Sequence, residues 1–277
     1  DTPNMAGLLA SAGYDVHYRG KWHISKGADG ADPTTEDLEG FGFHGWVPPE
    51  AGQDIKPENF GGGTADHDRR YASEAVQFLN SVPNDPDQPF ALVASFANPH
   101  DILAYPKTWD LEMPDGGTNY ADAAPGCFQM GIDLPPTFDE VLALNHKPRA
   151  QTQLNLASQV GLGSLVAPEL ARNYCNLYAY MQQEVDEHIG AVIDAVEANG
   201  LRDDTIIIHI ADHGEMGMSH GGMRQKAFNA YEETLLVPMV ISNPRLFPRG
   251  VTTDAMSTLV DLMPTLATIA DVPAETR

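Results

Sequence analysis

Residues 206–238, IIIHIADHGEMGMSHGGMRQKAFNAYEETLLVP, decide how the rest of the chain is interpreted. The stretch opens with a run of apolar, largely β-branched residues over 206–211, which is typical of a buried strand. Asp212 and His213 follow where that run ends. Ligands of open α/β sheets bind outside the carboxyl ends of the strands, and a carboxylate beside an imidazole is a common pair of metal ligands. The sequence therefore predicts a metal site at these two residues, with a strand-end cap as the alternative.

A second predicted strand, over residues 14–19, delivers Lys21 and His23 at its carboxyl end. The two residues stand two apart, so both side chains point to the same side if the extended backbone continues. Lysine is a point charge for an anionic group, and histidine can hold or move a proton. Either residue alone would be an ordinary surface or core residue, but together they predict a contact with an anion.

A third predicted strand, over residues 89–95, delivers His100 and Asp101. His100 could be a general acid for a leaving oxygen or a donor to an oxyanion, and the alternative is a turn histidine. Asp101 could orient His100 or contact substrate. Carboxyl ends of parallel strands meet at one edge of a sheet, so we predict that this pair converges with the residues of the other two strand ends.

The glycine-rich loop after Asp212 and His213 carries Lys226, His220 and Glu215. Lys226 is predicted to bind an anion, although in isolation it would be an ordinary surface lysine. His220 could line the pocket and contact substrate, or it could brace the loop. Glu215 is predicted to accept hydrogen bonds from backbone amides of its own loop.

The periodicity of the chain predicts one α/β fold with a mostly parallel, mixed sheet and helices on both faces. Apolar positions three and four apart predict helices over 2–13, 66–81, 172–199 and 257–270, and Thr2 is expected to cap the first. A further strand is predicted over 235–241. Residues 25–64 are rich in Gly, Pro and Asp and are predicted to form loops, and 102–168 is expected to be an irregular insertion or a set of substrate loops.

The charge balance excludes several classes of partner. The 277 residues carry a formal net charge of −23, which repels nucleic acid and anionic membranes. Any site for an anion must therefore be made locally from lysines, histidines and metal. No run of 18 or more apolar residues occurs, so we expect no membrane-spanning helix. Cys127 and Cys175 allow one disulfide, but two buried free thiols are at least as well supported.

Five motifs, in this order, resemble those of the sulfatases of the alkaline phosphatase superfamily, in particular the choline-sulfatase-like and arylsulfatase-like members. They are GKWH at 20–23, NPHD at 98–101, the LPP and FDE elements within 132–140, DHGE continued by HG, K and YEE over 212–233, and DLMPTL at 261–266. The resemblance spans nearly the whole chain. It implies one sulfatase-like α/β domain over residues 1–277, with the alkaline-phosphatase-like fold.

The resemblance implies hydrolysis of a sulfate monoester of a small molecule or a saccharide. In the family, a formylglycine made from Cys or Ser attacks sulfur as its hydrate, and a divalent cation holds the sulfate. Asp212 and His213 would be the metal-site residues. Calcium is the usual family metal, whereas an imidazole ligand favours manganese, unless His213 contacts substrate or supports another ligand.

The resemblance also implies roles for the remaining candidates. Lys21 and Lys226 would bind sulfate oxygens, His23 would support the nucleophile, and His100 would assist the leaving group. We place Asp101 and His220 with the substrate-binding residues. Positive charge at these positions would stabilise the charge that develops on the sulfate oxygens.

The chain departs from the family pattern at the nucleophile. The motif C/S-x-P/A-x-R is absent, and neither Cys127 nor Cys175 has matching neighbours. The early pair of metal-binding aspartates is also absent. Both normally precede the GKWH element, so we expect that an amino-terminal portion is missing, and that the chain alone has no sulfatase turnover and weak metal affinity. The alternatives are a phosphodiester or phosphonate monoester hydrolase of the same superfamily and a non-catalytic anion-binding relative.

Overall fold

The computed structural model describes residues 4–49, 67–83, 85, 87, 89–109 and 126–272. Its helices are α1 (Met5–Ser11), α2 (Thr35–Gly40), α3 (His67–Ser81), α4 (Arg149–Gly161), α5 (Pro168–Ala198), the four-residue turns α6 (Ser219–Gly222) and α7 (Glu232–Leu235), and α8 (Leu262–Ile269). Its strands are β1 (Asp15–Gly20), β2 (Phe90–Ser95), β3 (Ile207–Ile210) and β4 (Met239–Ser242). Short 3-10 helices lie at Ala28–Gly30, His100–Ala104 and Leu259–Asp261.

The strands form two pairs of opposite kind. β1 and β2 are parallel, with Asp15 opposite Phe90 and Gly20 opposite Ser95. β3 and β4 are antiparallel, with Ile207 opposite Ser242. Parallel and antiparallel pairing in one chain agrees with the mixed sheet predicted from the sequence, although among the described residues no hydrogen-bonded ladder joins the two pairs.

One face of the strands is covered by α3 and α5. Leu79 of α3 and Val196 of α5 belong to one buried cluster, on which Leu92 of β2 and Ile207 of β3 also pack. Both strand pairs therefore lie on the same layer of helices. The carboxyl ends of β2 and β3 are both followed by candidate site residues, so this shared layer sets where those residues lie.

The opposite face of β1 is covered by other helices. Val16 and Tyr18 point to a cluster that includes Leu9 of α1 and Leu266 of α8. Alternate side chains of a strand point to opposite faces, and His17, between them, packs instead on Phe78 of α3. Helices therefore lie on both faces, as predicted.

The long helix α5 shows why most element predictions were close. Pro168 occupies its first turn, where the missing N–H costs nothing, and Gly200 follows its end with φ 67°. Tyr174, Leu177 and Met181 recur at helical spacing and are buried. The helix therefore starts at Pro168, four residues before the predicted start at residue 172. The predicted helix over 66–81 is confirmed at His67–Ser81.

Several predictions were wrong in part. The stretch 102–168, expected to be irregular, contains α4, whose apolar periodicity is weak because Gln151 is the one residue of this helix that is buried. Residues 110–125 of that stretch lie outside the described part of the chain. The strand predicted over 235–241 begins only at Met239, since α7 occupies the preceding residues. Thr2 lies outside the described residues, and α1 is capped by Asn4, whose side chain accepts from the Gly7 N–H at 2.9 Å.

Other predictions concern single features. The predicted loop over 25–64 contains α2, with Thr34 and Asp37 forming a capping box, and its residues 50–64 lie outside the described part of the chain. Cys127 and Cys175 are both free and buried. Within the described ranges, the structure contains no helix with the length and apolarity that a membrane crossing needs.

Candidate functional site

The backbone at the end of β1 is held rigidly where Lys21 leaves the strand. The Lys21 N–H donates to the Ser95 carbonyl of β2 at 2.9 Å, and the Lys21 carbonyl accepts from the Tyr18 hydroxyl at 2.6 Å. Gly20 has φ 111°, and a Cβ there would lie 1.9 Å from the Ser95 carbonyl oxygen, so only glycine fits. The Trp46 indole donates to the Gly20 carbonyl at 2.7 Å. These contacts fix the point from which Lys21 reaches the site.

His23 lies further along the same segment and is exposed, with a left-handed backbone at φ 45°. Between it and Lys21, Trp22 is buried and donates its indole N–H to the Ser25 hydroxyl at 2.9 Å. The buried tryptophan anchors the segment, and its two neighbours remain accessible at the end of the strand.

Asp68, at the start of α3, holds the backbone at the end of β2. Its carboxylate accepts from the N–H of Ala97 at 2.6 Å and of Asn98 at 2.9 Å. Burial raises the pKa of Asp68 to about 7, against the effect of those two hydrogen bonds. Asp68 is not among the site residues predicted from the sequence. Its position in the first turn of a predicted helix could have drawn attention to it, but an acidic residue there is ordinarily explained by the helix dipole.

His100 is the point at which the candidate residues come together. It opens the 3-10 helix after β2, with its Nδ1 at 3.7 Å from Oδ1 of the buried Asp101. Burial lowers the pKa of His100, and the charges of Lys21 and Lys226 lower it further, whereas Asp101 acts in the opposite direction. The charges of Lys21, which follows β1, and of Lys226, which follows β3, thus act on the imidazole that follows β2, and the convergence of the site residues stays a prediction.

The Asp212–His213 pair makes its contacts locally after β3. Asp212 Oδ1 accepts from the His213 backbone N–H at 2.9 Å, and the Asp212 side chain is 86% exposed. His213 Nδ1 lies 2.8 Å from the Gly214 carbonyl oxygen, and its Nε2 lies 3.5 Å from Asp212 Oδ2. The described part of the chain contains no group of three or more His, Cys, Asp or Glu side chains that could hold a metal ion, so the metal site predicted at this pair stays a prediction.

Glu215 braces the loop that carries Lys226. Its Oε1 accepts from the Tyr174 hydroxyl at 2.7 Å, the Gln225 N–H at 2.7 Å and the Gly217 N–H at 3.3 Å. Burial raises the pKa of Glu215, and its hydrogen bonds and the charge of Lys226 oppose that effect. The prediction that Glu215 satisfies backbone amides of its own loop is confirmed.

His220 is held between two carboxylates. Its Nδ1 lies 2.7 Å from Glu140 Oε2, its Nε2 lies 3.2 Å from Glu233 Oε1, and its ring stacks on Tyr231 with centroids 4.1 Å apart. Its backbone N–H donates to the Thr137 hydroxyl at 3.0 Å. These contacts connect the loop to residues 137–140 and support the loop-bracing alternative for His220; a contact with substrate stays a prediction.

Comparison with known proteins gives consistent results. The model of the protein family described as Sulfatase matches residues 1–272. The choline-sulfatase of Rhizobium meliloti is 28% identical over 296 residues, covering 99% of this chain and 53% of that protein. The chain spans about half the length of the first curated relatives that it matches.

Solved structures show the same fold. A crystal structure described as a putative sulfatase from Bacteroides thetaiotaomicron has a TM-score of 0.71 at 24% identity, covering 99% of this chain and 54% of that one. A structure in complex with its substrate D-glucosamine-2-N,6-O-disulfate has a TM-score of 0.67 at 20% identity, covering 100% and 63%. These likenesses confirm the α/β, alkaline-phosphatase-like fold predicted from the sequence.

Proposed function

Because this chain belongs to the sulfatase family, we propose that it carries part of the active site of a hydrolase that cleaves a sulfate monoester. The observation that supports the proposal most directly is the electrostatic environment of His100, on which Lys21 and Lys226 both act. Two cations beside one buried imidazole suit an anionic group with several oxygens. In a chain with a net charge of −23, such a cationic position has to be built locally.

Each of the candidate side chains has a separate role in the proposed hydrolysis. Lys21 and Lys226 bind sulfate oxygens and stabilise the charge that spreads over them in the transition state. Burial and the charges of the two lysines lower the pKa of His100, and in this proposal its imidazole assists the leaving oxygen. Asp101, 2% exposed, orients that imidazole. His23, accessible beside Lys21, supports the nucleophile.

We propose that Asp212 and His213 hold two of the ligand positions of a divalent metal, calcium first and manganese as the alternative. The accessible Asp212 carboxylate is a hard oxygen ligand, and the imidazole of His213, whose Nε2 lies 3.5 Å from that carboxylate, suits manganese better than calcium. When bound, the metal would supply Lewis-acid stabilisation of sulfate oxygens. Chelation followed by titration with Ca²⁺ and Mn²⁺, read by calorimetry, tests the assignment, and D212N is expected to weaken whichever ion binds.

The nucleophile in this proposal is a formylglycine that the 277 residues do not contain. The sequence has no C/S-x-P/A-x-R motif, and the covered relatives are about twice as long as the matched part. We therefore expect the 277-residue chain alone to show no sulfate ester turnover. Turnover by this chain alone would contradict the nucleophile assignment.

We propose a small-molecule or saccharide sulfate ester as substrate. One relative is a choline-sulfatase, another is a Delta 4,5-hexuronate-2-O-sulfatase, and one solved neighbour holds a disulfated glucosamine. All three names refer to compounds that contain a sulfate group, and Lys21 and Lys226 would bind that group.

The deciding experiment compares hydrolysis of an aryl sulfate, an aryl phosphodiester and an aryl phosphonate by the protein including the nucleophile motif. Sulfate turnover that falls by about 100-fold or more in K226M supports the assignment, since one lost contact to developing charge costs about that much. The matched control is K26M, which removes a lysine that pairs with the exposed Asp32 at 3.1 Å. Turnover of phosphorus esters alone would favour the alternative hydrolase, and binding without any turnover would favour the non-catalytic relative.

A further inference from the structure

His100 and Lys226 belong to different parts of the fold, yet they lie close enough to interact. His100 follows β2, whereas Lys226 follows β3, and among the described residues no ladder of hydrogen bonds joins those strands. Both strands pack on the layer formed by α3 and α5, and contacts between the two loops add a second link between the two side chains. Arg224, two residues before Lys226, makes such contacts.

Arg224 joins the two loops with one guanidinium group. It is 3% exposed, and its Nη1 donates to the carbonyl of Tyr105 at 3.5 Å. Tyr105 directly follows the 3-10 helix that begins at His100. A buried side chain two residues before Lys226 thus contacts the segment that starts with His100.

The same guanidinium also binds the carboxyl end of α4. Its Nη2 donates to the carbonyls of Ser158 and of Gly163, the latter at 2.5 Å. Carbonyls at a helix carboxyl end carry partial negative charge, and a planar cation with several N–H groups can donate to more than one of them. One end of α4 is therefore fixed to the Lys226 loop.

The His100 segment is fixed to that same end of α4 by a second cation. Lys107 Nζ donates to the Gly161 carbonyl at 2.8 Å. At Gly163 a Cβ would lie 3.0 Å from the Pro106 side chain, so the two segments are in close contact. The carboxyl end of α4 thus lies between the two loops, with a cation from each bound to it.

Arg224 also shares its surroundings with the brace of its own loop. Burial lowers the pKa of Arg224, and the carboxylate of Glu215 opposes that effect. Glu215 accepts from the backbone N–H of Gln225, the residue between Arg224 and Lys226, which has a left-handed backbone at φ 66°. A left-handed backbone at a residue other than glycine is costly and persists only when its surroundings hold it.

We propose that Arg224 is a positioning residue that sets the place of Lys226 relative to His100 by binding the Tyr105 carbonyl and the carboxyl end of α4. Burying a cation costs more free energy than burying an apolar side chain of similar size. A buried arginine is therefore explained best by a contact that an apolar residue could not make. Donating to three carbonyls in two segments is such a contact. This role of Arg224 rests on the proposed function, because it would set the geometry of the proposed sulfate site. Its test, however, needs no sulfate turnover.

The test measures the pKa of His100 by NMR in the 277-residue chain. K226M is expected to raise it, because a cation beside the imidazole is removed. R224M is expected to raise it in the same direction, since Lys226 is no longer held, and R224M/K226M should match K226M alone. R224K retains the positive charge but not the fork of donors, so a rise in this variant reports displacement of Lys226 rather than loss of the Arg224 charge.

The matched control is R202M, which removes an arginine that donates to the Thr205 and Ser242 carbonyls at 3.4 Å on the far side of β3. Its His100 pKa is expected to equal that of the wild type. A folded R224M or R224K with an unchanged His100 pKa would overturn the proposal, as would additive effects in the double variant. If R224M does not fold, R224K alone decides. Absence of sulfatase activity in the longer protein would refute the proposed function and leave this result intact.

Discussion

Asp68 is expected to make the stability of this chain depend on pH, and Asp68→Asn removes that dependence. The carboxyl group is 1% exposed and accepts from the backbone N–H of Ala97 and of Asn98. Burial raises its pKa from an ordinary value of 3.8 to about 7. The asparagine keeps the shape of the protonated acid without its titration.

The sign and size follow from linkage between proton binding and folding. Below about pH 4 the group is protonated in both the folded and the unfolded chain. As the pH rises towards 7, the unfolded chain releases the proton and the folded chain retains it, so the free energy of unfolding falls. A shift of about three pKa units, at about 1.4 kcal/mol per unit, corresponds to about 4 kcal/mol.

The assay is urea denaturation of the wild type and of D68N at a series of pH values between 4 and 7.5. The wild-type free energy of unfolding minus that of D68N should fall by about 4 kcal/mol across this range and level off above pH 7. The matched control is Asp194→Asn on the exposed face of α5, which makes the same replacement of an acid by its amide away from this buried position. A constant difference for D68N would refute the claim that burial outweighs the two hydrogen bonds at Asp68.

Three further substitutions test separate parts of the structure by the same urea assay. Gly20→Ala places a Cβ 1.9 Å from the Ser95 carbonyl oxygen, at a φ that side chains rarely adopt, and should destabilise by about 3 kcal/mol; a loss below about 1 kcal/mol would show that β1 can separate from β2 at this point. Tyr174→Phe removes the hydroxyl that donates to the buried Glu215 at 2.7 Å and should cost about 2 kcal/mol, whereas an unchanged stability would mean that water replaces the donor. Arg245→Ala removes exposed ion pairs with two aspartates and should cost less than about 1 kcal/mol; a larger loss would show that this surface pair is structural.

Local sequence patterns predicted most of the helices and strands and supplied the candidate residues of the site. Helical spacing of Tyr174, Leu177 and Met181 predicted α5 because a helix that buries one face repeats every three to four residues. The same logic failed for α4, since Gln151 is its one buried residue and an exposed helix leaves little periodicity to read. Weak periodicity is therefore a poor reason to predict an irregular loop.

Single residues whose role depends on distant partners were beyond reach of the sequence. Asp68 lies 29 and 30 positions from the two backbone amides that it binds, so its spacing contains no indication of the contact. Arg224 binds carbonyls at 105, 158 and 163, in segments that only the folded chain brings together. Both residues looked like ordinary charged residues of a helix start and a loop.

The stretch at 206–238 shows the same division. Its sequence determined the family, the strand β3 and the presence of Asp212, His213 and Lys226, because apolar runs and motif order are local properties of the chain. The tertiary structure decided that the Tyr174 hydroxyl, 41 residues away in the chain, also donates to Glu215, because contacts between remote residues exist only after packing. It likewise placed His220 between Glu140 and Glu233, the first of which lies 80 residues away in the chain.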